Sequence, residues 1–496
     1  MNAQTQQVLQ DSVVILPISV LFLVSLIPIL IKVFRGNREP QPFSTLLYGF
    51  IGLVFATGIT AAMAGGQKTA FSLAIVLDDV SVWSSCLVYF ITAIVLMLSY
   101  DHAATKGKQF SEFCFLLISS AIGMVILIMS NDLIVTFLGI EMMSLALYIL
   151  VAMSKEETLA KEAAFKYFIL GSFASAIFLY GIALIYGTAG TTYLIGNEST
   201  VGLVQNAGRL ISTNRIFLVG LGFVTLGFSF KVALFPFHAW APDVYQGAPT
   251  PITAFMATAV KAATFVAFIR LFHCQGLASS AAFMNAMSWI AVLTMVLGNA
   301  AAIMQDNVKR MLAYSSVAHS GYAMVGLIAA GFGSDFNASA SSVLFYLFSY
   351  SFMTMGSFAL VGLLEKEAGT IIRMDDLKGL ARRHPVLALS FTILMLSLAG
   401  IPPTLGFFGK LYIFSAAIEQ DMYWLAFWGV LSSAISVYYY LRPVVMMYMS
   451  EEEGAEIVHA NIMTRFTVIA AALIIVVVGI FSSPAIRAIR SAFNLL

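Results

Sequence analysis

The chain has 496 residues, of which 60% are hydrophobic and only 10% charged, with a formal net charge of +1. A soluble globular domain carries roughly 25% charged residues, so this composition excludes one and points to a polytopic membrane protein. The near-zero net charge gives no global field toward nucleic acid or an acidic partner.

Cofactor chemistry finds little foothold. Cys86, Cys114 and Cys274 lie in or beside apolar segments without CxxC spacing or a histidine at metal-ligand spacing, which reads as buried small hydrophobes. Iron–sulfur and haem ligand patterns are missing. Glycine pairs such as GLGFVTLG sit inside apolar runs without a βαβ context, so a dinucleotide reading fails. The start, MNAQTQQVLQDSVV, lacks a basic region before its first apolar run, so that run is expected to stay as a span.

A helical span needs ~20 mostly apolar residues. In chain order the candidates are 13–33, 44–64, 79–100, 111–130, 132–153, 163–187, 215–235, 250–272, 285–304, 308–332, 340–364, 385–418, 422–446 and 462–483. The bilayer offers no water to exposed backbone, so spans are helical, and the alternating pattern of an outer-membrane barrel is not seen. The fold expected is an all-α polytopic membrane protein with about fourteen transmembrane helices.

Fourteen spans put both termini on one side. With the termini outside, sixteen basic residues fall in inner connections, among them Lys106, Lys108, Lys155, Lys309, Arg310 and Lys366. Six fall outside: Lys68, Arg209, Arg215, Arg270, Arg487 and Arg490. That asymmetry follows the positive-inside rule. Four lysines belong to neither set: Lys166, Lys231, Lys261 and Lys410.

Two segments are poorly formed as simple spans. FKVALFPFHAWAP carries Lys231 ahead of Pro236 and Pro242, and 385–418 is split by GIPPTLGFFGK, from Gly400 to Lys410. Proline removes a helical N–H and clashes with the preceding turn, so both are expected to be discontinuous helices. They are the seventh and twelfth spans, and an odd offset inverts orientation. Two inverted five-helix repeats are therefore expected, 111–272 (helices 4–8) and 285–446 (helices 9–13). They follow a three-helix segment, 1–110, and precede helix 14 in 462–496. Paired broken helices are the best sequence pointer to a transport site.

Charges at bilayer depth cost at least ~2.5 kcal/mol each, so they persist with a partner or a job. The candidates are Glu141 in LGIEMMSLALYIL, Lys166, Lys231, Lys261, His319 in SSVAHSGYAMVG, and Lys410. Glu141 is expected to face a lysine, the alternative being a static ion pair that fixes packing. Lys231 and Lys410 sit at the breaks, where freed backbone can solvate an ammonium. Burial brings a lysine's two protonation states closer in energy, which suits a proton carrier. Lys261 is a full turn of ATAV from any break and would need a polar cavity. Lys166, near the start of its span, could equally snorkel to the surface. His319 shares a face with Ser315 and Ser316, either as a proton relay or as a core histidine bonded to those serines.

These residues also carry a resemblance. FKVALFPFHAWAPDVYQGAP and LAGIPPTLGFFGKLY resemble the antiporter-like membrane subunits of proton-pumping NADH-quinone oxidoreductase, respiratory complex I, themselves similar to multisubunit sodium/proton antiporter subunits. The resemblance runs over essentially the whole chain, without the long lateral helix that one such subunit appends. It implies that Glu141 is the fifth-helix glutamate paired with Lys231 of the seventh. Lys261 would be the eighth-helix relay and Lys410 the twelfth-helix terminal lysine, with Lys166 matching a sixth-helix lysine. It implies proton translocation driven by quinone reduction in neighbouring membrane subunits of a bacterial inner or equivalent membrane. Quinone, FMN and iron–sulfur clusters would then belong to partners, with no cofactor on this chain. A stand-alone antiporter would use the same lysines, and an inert scaffold would need none of them.

Overall fold

The computed structural model describes residues 3–493 except 101, 103–108, 155–156, 198–200, 274–279, 366–369, 452–453 and 455–461. Cys274, Lys106, Lys108, Lys155 and Lys366 therefore lie outside the described residues.

Every apolar segment expected from sequence is helical. The helices are α1 (Ala3–Val14), α2 (Leu16–Phe34), α3 (Pro42–Ala61), α4 (Asp79–Ser99), α5 (Phe110–Met129), α6 (Leu133–Ala152) and α7 (Thr158–Ala189). There follow α8 (Leu203–Thr213), α9 (Arg215–Lys231), α10 (Trp240–Gly247), α11 (Thr250–Phe255), α12 (Lys261–Phe272), α13 (Ala281–Ile303) and α14 (Val308–Phe332). The last are α15 (Phe336–Leu364), α16 (Leu380–Arg383), α17 (Pro385–Ala399), α18 (Leu405–Glu419), α19 (Tyr423–Met449), α20 (Ile462–Ile480) and α21 (Ser482–Phe493). One feature departs from an all-helical reading: β1 (Lys68–Ala70) and β2 (Ile75–Leu77) form an antiparallel hairpin, with Lys68 opposite Leu77.

Among the described residues, eleven helices are long and apolar enough to cross a membrane unbroken, counting α11 and α12 as one. Three of the fourteen expected segments fall short of that test. Helix α9 has 17 residues and meets α8 at 120°. Helix α14 carries a polar run from Ser315 to Tyr322, and the segment 385–418 is split into α17 and α18 of 15 residues each. These three segments hold Lys231, His319 and Lys410.

Both expected breaks are present. Helix α9 stops at Lys231, Ala233 takes a left-handed φ of 58°, and the Phe235–Pro236 bond is cis. Helix α17 ends on Gly400 at φ 86°, a conformation costly for residues with a Cβ, and Pro402–Pro403 is cis. A third irregularity was not anticipated. Residues Met256–Val260 form a π-helical turn between α11 and α12, immediately before Lys261. The ATAV stretch that seemed to insulate Lys261 from a break is itself part of that turn. Single π turns inside α-helices are frequent at functional sites.

Without a hydrophobic drive between helices in lipid, close approach through small residues supplies packing. A Cβ on Gly123 of α5 would lie 2.5 Å from the Met143 nitrogen, and one on Gly139 of α6 would lie 2.8 Å from that of Leu127. That approach seats α6 with Glu141 and Ser144. The α11–π–α12 helix is the most enclosed element, every residue from Thr250 to Phe272 being buried.

Candidate functional site: a buried row of lysines

Lys231, Lys261 and Lys410 are only 3%, 2% and 4% exposed. None forms an ion pair with a carboxylate among the described residues; each is held by hydroxyls, carbonyls and aromatic faces.

Lys231 closes α9, a position that favours a cation because the helix dipole is negative there. Its Nζ donates to Ser144 Oγ at 2.6 Å and lies 5.5 to 5.7 Å from the rings of Phe230, Tyr167 and Tyr148. The break is folded back on itself. Trp240 Nε1 donates to the freed Phe230 carbonyl at 2.9 Å, and the indole stacks on Tyr167 at 4.8 Å. Glu141 lies close enough for its charge to act on the Lys231 ammonium, but it is not bonded to it. Glu141 accepts a hydrogen bond from Ser175, and the residue that reaches the ammonium is Ser144, three positions further along α6. The reason is helical geometry: Glu141 is half-buried on the stripe that exposes Leu138 and Leu145, while Ser144 is turned inward.

Lys261 donates to Ser316 Oγ at 2.6 Å, to the Ser316 carbonyl at 2.5 Å and to Ser320 Oγ at 2.7 Å, under the Tyr350 ring at 5.8 Å. The polar cavity it required is thus built by one face of α14. His319 does not bond to Ser315 or Ser316. Its Nδ1 pairs with Tyr346 Oη at 2.5 Å and its Nε2 with Tyr440 Oη at 2.9 Å, and Ser315 bonds Tyr440 in turn.

Lys410, the first lysine after the second break, points back across it. Its Nζ donates to the carbonyls of Leu398 (2.8 Å) and Ala399 (3.1 Å) and to Ser433 Oγ (2.9 Å), beneath Tyr322 at 5.0 Å. Residues 315–322 of α14 therefore reach both Lys261 and Lys410. Ser316 and Ser320 face the first, Tyr322 the second, and His319 with two tyrosines lies between.

Lys166 stands apart. Its side chain is 38% exposed and bridges Glu162 (2.6 Å) and Asp243 (2.7 Å), and Arg310 also reaches Asp243 at 2.7 Å. That is a surface ion cluster, the snorkelling arrangement.

Two basic residues assigned to connections are buried. Arg270 pairs with Asp78 at 2.8 Å, and Lys309 pairs with Glu365 at 3.0 Å. Composition counting misplaced them because both sit at helix ends, where sequence gives no distinction between a loop and a covered terminus. Ser144, Tyr346 and Tyr440 were also missed; polar residues inside apolar spans were the available signal.

Residues 130–436 match the family described as NADH:quinone oxidoreductase/Mrp antiporter, transmembrane. NADH-quinone oxidoreductase subunit N of Bdellovibrio bacteriovorus is 51% identical over 98% of both chains. That of Trichlorobacter lovleyi is 40% identical over 89% of this chain and 88% of its own. The chain belongs to the NADH-quinone oxidoreductase subunit N family. Among solved structures, a chain of respiratory complex I from Thermus thermophilus with bound aureothin superposes with a TM-score of 0.81. It is 31% identical, over 95% of this chain and 99% of that one. The Mrp complex from Dietzia has a chain of the same fold, with a TM-score of 0.83 at 19% identity over 98% and 97%. The match to the family model begins at the α5–α6 connection and ends in α19, so it spans all three lysines of the subunit N family member described here.

Proposed function

We propose that this chain is a proton-translocating membrane-arm subunit of an NADH-quinone oxidoreductase, moving protons along Lys231, Lys261, His319 and Lys410. The observation that carries the reading is that three buried ammonium groups have no carboxylate partner among the described residues. A static ion pair would satisfy each lysine with an acid. Hydroxyls and carbonyls instead hold the charged form while leaving the neutral form tolerable, which is what a group that gains and loses a proton requires.

Glu141 acts from the rim in this reading. A carboxylate at bilayer depth on a stripe with Leu138 and Leu145 is costly against lipid, so another membrane subunit covers it. Neighbouring subunits carry the quinone site, flavin and clusters, and this chain binds none. The two halves, 111–272 and 285–446, act as inverted repeats around the row, with both termini on the outer side of a bacterial inner membrane. The first three helices (1–110) and helix 14 (462–496) flank them.

A sodium/proton antiporter subunit is the second reading, favoured by the fold shared with the Mrp chain. Proton movement driven by NADH oxidation with and without sodium separates the two, and Lys231→Ala in the assembled complex tests the lysine's part. Loss of proton pumping with quinone reductase activity retained or co-diminished supports that part. Undiminished pumping would remove Lys231 from the mechanism.

A further inference from the structure

Lys410 is held from two directions. The Leu398 and Ala399 carbonyls come with the end of α17. The other two supports come from elsewhere: the Tyr322 ring of α14, 5.0 Å from the ammonium, and Ser433 of α19, whose Oγ accepts from it at 2.9 Å. One side chain on a further helix ties these two together. Asn299 of α13 is 1% exposed and makes no hydrogen bond to Lys410 itself. Its Nδ2 donates to Tyr322 Oη at 3.1 Å and to the Ser432 carbonyl at 3.0 Å, and its Oδ1 accepts from Tyr439 Oη at 2.8 Å.

We propose that Asn299 is a positioning residue for Lys410, holding the Tyr322 ring over the ammonium and Ser433 beside it. The proposal rests on the reading that Lys410 carries protons.

The amide sits where α13 and α14 approach closely. A Cβ on Gly298 would lie 2.8 Å from the Ala318 nitrogen, and one on Gly321 would lie 3.0 Å from the Met295 nitrogen. Those glycines adjoin Asn299 and Tyr322 in the chain, so the backbones close up where amide and phenol meet. The same face of α13 is otherwise apolar, with buried Met295 four residues before and Ala302 three after. A residue that only filled this space would be apolar too, because a buried amide is costly unless it is hydrogen-bonded. Asn299 is bonded through both ends of its amide. Only an N–H can donate to the Ser432 carbonyl, so Nδ2 faces that carbonyl and Oδ1 faces Tyr439.

Its three partners all border the row. Tyr322 covers Lys410 and meets the His319 ring edge-on at 5.5 Å. Ser432 precedes Ser433, and Tyr439 precedes Tyr440, whose Oη lies 2.9 Å from His319 Nε2. A cation is drawn to the face of an aromatic ring, so the ring's angle matters. Tyr322 is fixed at its backbone by α14 and at its hydroxyl by Asn299, which keeps that face toward the ammonium. The second Nδ2 bond fastens α19 at Ser432 and thereby sets how far the Ser433 hydroxyl stands from Lys410. Both supports favour the charged lysine. Without them the α17 carbonyls alone would hold it, and the balance would move toward the neutral form.

The test uses the whole complex in sealed vesicles, reading protons moved per NADH oxidised between pH 6 and 9. Asn299→Leu is close in size and removes all three bonds. It is expected to lower the ratio at least about twofold and to move the alkaline fall-off of the profile to lower pH. Tyr322→Phe keeps the ring and removes the oxygen that Asn299 holds. It is expected to move the profile the same way by less, and is read in place of Asn299→Leu should that complex fail to assemble. A wild-type ratio and profile in the variant that is read overturns the proposal. A lowered ratio with an unmoved profile also overturns it, since a loosened joint would reduce pumping without changing the lysine's balance. Failure of both variants to assemble would make the amide a structural joint and overturn it as well. Lys410→Leu run in parallel keeps the two readings apart. A normal Lys410→Leu complex overturns the parent reading and this one with it. A normal Asn299→Leu complex beside a failing Lys410→Leu complex overturns this one alone.

Discussion

Lys410 holds its ammonium 2.8 Å from the carbonyl oxygen of Leu398, a residue on the far side of the second helix break. The last carbonyls of a helix have no partner within it, and they form the negative end of its dipole. The prolines that end α17 thus create the site that solvates the lysine of α18. Lys231 uses the other arrangement, riding on the helix that ends. Both breaks deliver an ammonium to unpaired backbone or hydroxyl oxygens without a carboxylate.

Lys410→Arg should therefore separate anchoring from proton release. A guanidinium can still donate to Leu398 and Ala399, so the complex should assemble and resist heat as the wild type does. It cannot give up its proton, so pumping per NADH oxidised should fall nearly as far as in Lys410→Leu. Wild-type pumping by Lys410→Arg would reduce the residue to a fixed charge.

For Lys231 the structure shifts attention from Glu141 to Ser144, its direct partner. Ser144→Ala removes a hydrogen bond to a charged group, worth ~1.5–3 kcal/mol. Pumping should drop, less severely than in Lys231→Ala, while Lys231→Arg should fail almost as badly as alanine. Glu141→Asp should be milder than Glu141→Ala. A Ser144→Ala complex that pumps normally would show that the aromatic faces of Tyr148, Tyr167 and Phe230 suffice to hold the ammonium.

How much of this was legible in the sequence depends on what each residue's position encodes. Helices and breaks were legible because hydrophobic runs and proline act locally. Lys231, Lys261 and Lys410 were legible because an ammonium inside an apolar run is anomalous wherever it points. Their partners were not. Ser144 and Ser316 differ from other span serines only in direction, and direction follows from the Gly123–Gly139 approach and from α14's place in the bundle. The π turn before Lys261 leaves no composition signal in MATAV.

Topology can be checked by labelling. Cysteines introduced at residues 4 and 494 should react with an impermeant reagent from outside, and one at residue 376 only from inside. Termini that label from opposite sides would mean an odd number of crossings.

Glu365 makes a pH prediction on the acid limb. Its carboxyl sits at about 2 against a reference of 4.5, so its contribution is complete above pH 4.5 and is lost as pH falls from there toward 2. The gap in thermal inactivation temperature between wild type and Glu365→Gln should be the same at pH 6 and pH 5, and begin to close only at pH 4. A gap that stays constant from pH 5 down to pH 3 would place the folded carboxyl's titration in the ordinary range and argue against a tight bond to Lys309.

The Arg270–Asp78 pair distinguishes an anchor from a carrier. Removing one partner of a buried pair leaves an uncompensated charge and costs ~3–5 kcal/mol, whereas replacing both by apolar residues of similar volume is often neutral. Arg270→Met alone should therefore deplete the assembled complex in native gels, since Asp78, which caps α4 through Ser81, would be left buried without its cation. Arg270→Met with Asp78→Asn keeps an oxygen for the Ser81 N–H and removes the stranded charge, so assembly should recover. If the pair serves only as a joint between α4 and α12, the recovered complex should also pump at the wild-type ratio. Recovery of assembly without recovery of pumping would mean that the charge itself, and not the joint it forms between α4 and α12, is needed for transport.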